Sequence, residues 1–339
     1  LQGDDVAAPT DLVDKQSGMD YFTAAALMQK YVRAQQNLSA PNPAAVKPIP
    51  WFENVFPGYA GGGMTATQNI FSNYWFYNPG NDTTALAEID TAAFGCSPCS
   101  KFGPYALFNS QYSSLAVFRS RGAGDYNALQ ITLRKAFSSG VEFDFNYTLS
   151  KSMDLGSTRE TDGRVISQIV NPWNPSQMRS ASDYDVTHLI SAQWVAEFPF
   201  GRGKRYGTNM NSFLNAIVGG WQVSGIARAS SGLPAYIDNG GFWSTNWNVE
   251  GPATRVGAPA QGTTKDSATG GPNLFPNPNA AFGAFDLTYP GQSGTRNPVR
   301  GAGFFSIDAG FSKRFLMPYS EKHSVQLWAE AFNITNTPN

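Results

Sequence analysis

The sequence predicts an all-β fold: an antiparallel transmembrane β-barrel, present in part as an open curved sheet, with long extracellular loops and a short helix near residues 21–36. Three observations predict it. Charged residues make up 14% of the 339 residues and aromatics another 14%, against roughly 25% charged in an ordinary soluble domain. Yet mean hydropathy is −0.30, which fits strands that alternate apolar and polar side chains. Finally, six such strands are joined by links whose lengths differ in a regular order.

Residues 1–110 read as an extracellular loop region. Tyr21–Gln36 is rich in good helix formers. It stops before PNPAAVKPIP, too proline-rich for a helix or a central strand. WFENVFPGYAGGG and FSNYWFYNPGND follow, aromatic clusters punctuated by Gly, Pro and Asn, which is turn chemistry. The only two cysteines, Cys96 and Cys99, stand in GCSPCS. A lone CxxC supplies too few ligands for zinc, and Ser100 stands where a haem attachment motif needs His. The pair is expected to close a small loop disulfide in an oxidising compartment.

Residues 111–339 read as barrel strands. In Tyr126–Ala136, Leu129, Ile131 and Leu133 face one way, and Gln130, Thr132 and Arg134 the other. The link FSSG (137–140) suits a tight hairpin. In Val141–Ser152, Val141, Phe143, Phe145, Tyr147 and Leu149 oppose Glu142, Asp144, Asn146, Thr148 and Ser150. Val186–Phe198 sets Ile190, Ala192, Trp194, Ala196 and Phe198 against Thr187, Ser191, Gln193 and Glu197. Gly220–Ser230 sets Trp221, Val223 and Ala227 against Gln222, Ser224 and Arg228. Phe304–Phe315 sets Phe305, Ile307, Ala309 and Phe311 against Ser306, Asp308, Ser312 and Arg314, and Ser324–Phe332 completes the series.

The links run short, long, moderate, long, short. Long links at every second connection lie at one end of the strands, as in outer-membrane barrels with short periplasmic turns and long extracellular loops. On that reading the final FNITNTPN lies outside, and one more descending strand is expected beyond it.

The segments YNALQITLRKAFSSGVEFDFNYTLSKSMDLGS, SDYDVTHLISAQWVAEFPFGRGKRY, GGWQVSGI, GAGFFSIDAGFSKRF and AEAFNITNTPN, with WFENVFPG before them, resemble the C-terminal barrel of Oar-like TonB-dependent outer-membrane receptors of the acidobacterial type. The resemblance runs over most of residues 50–339. It implies a longer protein with a carboxypeptidase-regulatory-like domain and a plug upstream. It also implies location in the outer membrane, energising by a TonB–ExbB–ExbD complex, and carriage of a large or scarce extracellular ligand such as a peptide or protein, a glycan or a chelate. A non-transport adhesin or a porin-like surface protein is the alternative; a secreted soluble β protein is a third.

Two sets of residues are candidates for function. Trp51, Phe52, Trp75, Phe242, Trp243 and Trp247 are loop aromatics, stacking platforms for ligand or small cores of the loops themselves. Arg134, Glu142, Asp144, Asn146, Glu197 and Asp308 are expected to face the lumen, contacting plug or ligand, or simply hydrating the wall. Trp194 and Trp221 suit an aromatic girdle. His188 and His323, the only histidines, stand without positioned partners for a metal, and neither metal nor cofactor is expected. GRGKRY is not a phosphate loop, and GxSxG and HExxH are absent, so no enzyme is expected. Net charge of −1 gives no case for nucleic acid.

Overall fold

The computed structural model describes residues 2–5, 12–77, 79–91, 98–108, 116–157, 160–161, 164–165, 168–246, 249, 251–262, 264–317 and 320–337. The chain divides into two compact units. One gathers Leu1–Asp125, Met153–Asp183 and Pro234–Val299; the other gathers Tyr126–Ser152, Tyr184–Leu233 and Arg300–Asn339. The division therefore differs from a cut near residue 110. The two long links leave the strands and fold with the N-terminal stretch.

The second unit is a sheet of six long strands: β1 (Gly124–Ser138), β2 (Val141–Asp154), β3 (His188–Glu197), β4 (Trp221–Ser230), β5 (Phe304–Met317) and β6 (Ser320–Ala331). Spatial order equals chain order, and among the described residues the sheet stays open, with β1 and β6 at its edges. The first hairpin turns on Ser139 and Gly140, at φ 55° and 77°. Two successive positive φ values make the twist-compatible two-residue turn that the short link FSSG anticipates.

Antiparallel register decides which residues share a face, because directly paired residues point the same way. Phe143 pairs with Trp194, Phe145 with Ala192 and Tyr147 with Ile190. Trp194 pairs with Gly225 and Ala192 with Ala227, and these pair in turn with Ala309 and Ile307. One face is thus a continuous apolar surface, and its large side chains stay open: Phe143 is 37% and Phe311 42% exposed. Exposed apolar area on this scale, repeated strand after strand, marks a surface made for a non-aqueous neighbour.

The first unit corrects the picture of residues 1–110 as loop with a single helix. Tyr21–Ala34 (α1) is joined by Pro50–Val55 (α2), Ala66–Phe76 (α3) and Asp82–Asp90 (α4). Capping explains helices that composition concealed. Asp20 accepts from Thr23 N at 2.7 Å to start α1. Thr65 and Gln68 form a reciprocal capping box on α3. The Glu53 carboxylate accepts from Ala66 N at 3.1 Å and Thr67 N at 2.8 Å. Pro50, read as a breaker, occupies the first turn of α2, where its missing N–H costs nothing. These helices bury Tyr21, Met28, Val32, Trp51, Phe52, Phe56, Ile70, Phe71, Tyr74, Leu86 and Ile89 in one core. Among the described residues no helix is long and apolar enough to cross a membrane.

Candidate functional site

The helix-rich unit holds the loop aromatics, and it splits them. Trp51 and Phe52 are completely buried. Their rings meet edge to face at 5.1 Å, Trp51 packs on Tyr21 at 5.4 Å and Phe52 on Tyr74 at 5.9 Å. Trp51 Nε1 donates to Leu12 O at 2.8 Å. Neither ring has a free face, so neither is a stacking platform; their burial, not capture of a ligand, explains the aromatic cluster. Trp75 lies half-buried on the same core and donates to Gln35 O at 3.2 Å. Phe242 and Trp243 are half-buried, and Trp247 lies outside the described residues.

Phe242 is where a cavity opens. About 520 Å³ is lined by Ile237, Phe242, Phe275, Ala281, Phe282 and Phe285, together with Asp238 and Asp286. Such a volume lies within the range of small-ligand sites. The segment carrying it is tied to the helices at several points. Thr83 Oγ1 donates to Trp243 O at 2.7 Å, and Ser244 Oγ to Gly80 O at 3.2 Å. From α1, Arg33 reaches Asp286 at 3.1 Å and Leu287 O at 2.9 Å, and its guanidinium stacks on Tyr289 at 3.7 Å. Phe275, Phe282 and Phe285 are not legible from sequence, because the Gly- and Pro-rich link 231–303 carries no periodicity to reveal which aromatics converge.

Burial dominates the electrostatics of this unit. Asp82 is enclosed between α1 and α4, and its carboxyl is pushed up to about 8 by desolvation, against the Gln29 hydrogen bond at 2.5 Å and the Arg33 charge. Desolvation raises Asp90 too, although backbone N–H groups of Leu107, Phe108 and Ala106 donate to it. Glu53 goes the other way. Burial works against its charge, but the Thr67, Thr65 and Ala66 donors outweigh it and hold the carboxylate down. Cys99 is buried and disulfide-bonded; Cys96 lies outside the described residues.

On the sheet, the polar face collects the second set. Glu142, Asp144 and Asn146 alternate along β2 and pair with Val195, Gln193 and Ser191. Glu197 pairs with Gln222, and Asp308 with Ile226, on that same face. Arg134 Nε donates to Asp144 Oδ2 at 2.7 Å, and Asn146 Nδ2 to Asp144 Oδ1 at 2.5 Å. Lys204 reaches Glu197 at 2.5 Å, and Asp308 accepts from Asn333 N at 2.8 Å. The six residues share a face without converging on one point; five are charged and Asn146 is neutral, and together they form a polar wall. Register also adds Leu189, Phe304 and Trp328 to this face, opposite Thr148, Ser230 and Ser312. His188 belongs to the apolar face, where its Nδ1 meets Tyr147 Oη at 2.9 Å.

An apolar face, a polar face and sequential antiparallel order are the attributes of a membrane barrel wall. A family model described as an outer membrane beta barrel domain matches residues 52–339. The chain belongs to that family. No curated protein and no solved structure matches it. As an outer membrane beta barrel domain, the protein resides in the bacterial outer membrane, with the lipid bilayer as its partner. In such barrels apolar rows face lipid and polar rows the interior; here Phe145, Ala192, Ala227 and Ile307 make one row and Asn146, Ser191, Arg228 and Ser306 the other. Trp194 and Trp221 lie near the ends of β3 and β4 that a moderate link joins.

Proposed function

We propose that this barrel domain is part of a TonB-dependent transporter that captures a large or scarce ligand, a peptide or protein, a glycan or a chelate, and carries it across the outer membrane. One observation supports the reading above the others. The N-terminal stretch and the two long links together build a helix-rich unit with its own core and a 520 Å³ apolar cavity. Loops that serve only to close a barrel need no such core. The unit is the capture device, on the extracellular side where long links belong. Its cavity receives an aliphatic or aromatic part of the ligand against Phe242, Phe275, Phe282 and Phe285. The polar wall of Arg134, Glu142, Asp144, Asn146, Glu197 and Asp308 faces the lumen and guides the polar remainder past a plug. Energy arrives through that plug from the TonB–ExbB–ExbD complex, as the resemblance to Oar-like receptors implies. The role is binding and translocation, without catalysis.

The full-length protein in a planar bilayer tests this. A plugged transporter stays closed at rest and binds the purified periplasmic domain of TonB. A steadily open channel that ignores TonB would establish the porin-like alternative; a closed barrel that also ignores TonB would favour an adhesin.

A further inference from the structure

The connection between β3 and β4 leaves the sheet at the same end as the Ser139–Gly140 turn, yet it carries a helix, α5 (Ser212–Val218). No residue of α5 is buried. Phe213 is 75%, Leu214 46% and Ile217 54% exposed. A seven-residue helix is too short to persist on its own in water, and packing gives this one little.

Both of its ends are nevertheless fixed. Asn211 caps the start, its Oδ1 accepting from Leu214 N at 2.8 Å. At the other end Lys313 Nζ donates to Ile217 O at 2.8 Å and Gly219 O at 2.7 Å, and Trp221 Nε1 donates to Ile217 O at 2.8 Å. Lys313 and Trp221 are register partners, and both belong to the apolar face. The groups that hold α5 therefore stand on the lipid side of the wall, not on the lumen side. The ammonium is buried, 4.5 Å from the Trp221 ring and 5.1 Å from that of Phe315. A cation suits the carbonyl end of a helix, and the arrangement keeps the lysine's charge among carbonyls and rings instead of bare against acyl chains.

The surface continues beyond the helix. Ile217 lines one apolar groove with Trp221, Phe311, Phe315 and Leu327. Ahead of α5 the loop exposes Arg202, Lys204 and Arg205, beside the partly exposed pair Phe200 and Tyr206 with ring centroids 5.6 Å apart. Arg202 binds the loop to the helix through Met210 O and Ser212 Oγ, and Glu197 answers Lys204. Cations and aromatics alongside exposed aliphatics are the mixture found where acyl chains give way to phosphates.

We propose that α5 is a membrane-interface anchor seated in the phospholipids of the periplasmic leaflet. Acyl chains cover Phe213, Leu214 and Ile217, and lipid phosphates meet the Arg202–Arg205 loop. The occupant follows from continuity with the lipid-facing surface and from opposite charge, and is independent of whether the barrel transports.

A nitroxide at Phe213→Cys in the full-length protein tests it, in vesicles of phosphatidylethanolamine and phosphatidylglycerol. Cys99, being disulfide-bonded, does not compete for the label. Dissolved oxygen should collide with the nitroxide several-fold more often than a water-soluble nickel chelate does, as at a Phe311→Cys control. More frequent collisions with nickel would place the helix in water and overturn the proposal. Protection from both reagents would mean a protein neighbour, a second copy or the plug, and would overturn it equally. If Phe213→Cys does not give the heat-modifiable gel mobility of a folded barrel, Ile217→Cys is labelled and judged by the same criteria.

Discussion

Arg296 and Asp154 form a buried ion pair at 2.5 Å between residues 142 positions apart. The other arm of the guanidinium reaches Asp183 and Ser157, each at 2.9 Å, and Asn297 adds a bond of 2.7 Å to Asp183. One arginine thereby joins the link that follows β2 to the link that follows β4. Removing one partner of a buried pair leaves a desolvated charge and costs about 3–5 kcal/mol. Arg296→Ala should loosen both links together, so limited proteolysis of intact cells should cut residues 153–183 and 234–299 at similar rates. Cleavage of only one link would show that the pair does not couple them.

Face assignment is open to a paired substitution. Phe145 lies midway along the apolar row from Val141 to Leu149, and Asn146 is its neighbour on the other face. Phe145→Arg places a charge in lipid at a cost of about 2–4 kcal/mol near the midplane, and assembly into the outer membrane should fail. Asn146→Arg places the same charge beside Asp144, and assembly should proceed. Equal yields by heat-modifiable mobility would contradict the two-faced sheet.

Gly225 is the partner of Trp194 across β3 and β4, and the indole lies over it. A Cβ there would meet Trp194 Cζ2 at 2.3 Å. Gly225→Val should drive the ring aside and destabilise the barrel by about 1–3 kcal/mol, the usual penalty of overpacking. The combination with Trp194→Ala should recover part of that loss. A urea titration of the folded band reads both, and strict additivity of the two changes would show that ring and glycine are not coupled.

The pH dependence of the helix-rich unit follows from Asp82. Its folded value of about 8 lies above that of an unfolded aspartate, about 4. Folded chains therefore hold the proton between these values while unfolded chains have released it, so the part of the stability that depends on Asp82 is fully present below about pH 4 and declines until about pH 8. Asp82→Asn cannot ionise and should flatten this decline, leaving the variant more stable than the parent at pH 8. Thermal melts at pH 5 and pH 8, followed by near-ultraviolet dichroism of the Trp51 core, measure it; identical slopes in both proteins would remove Asp82 from the account.

Much of the wall was legible in the sequence because strand alternation is a local property. A period of two survives in any linear reading, so Val141–Leu149 and Phe304–Phe315 announce their faces without a neighbour in sight. The N-terminal helices were less legible. Their starts rest on caps such as Thr65 with Gln68 and on Glu53, thirteen residues ahead of the helix that it serves, and the aromatic clusters resemble loops until they are packed. For Trp51 and Phe52 the sequence leaves platform and core both open, because composition cannot distinguish a ring awaiting ligand from a ring awaiting a core. Phe275, Phe282 and Phe285 stayed hidden for the opposite reason, being brought beside Phe242 only by the path of a long link.

By itself, then, the sequence determined the two-faced antiparallel strands, their order and the asymmetry of their connections, since each depends on neighbours in the chain. Only the tertiary structure decided that the long links and the first 125 residues share one unit, that Trp51 is core while Phe242 borders a cavity, and that Lys313 holds α5 on the apolar side. These depend on contacts between residues as far as 255 positions apart. Burial and long-range pairing are set by the whole chain, and no local pattern encodes them.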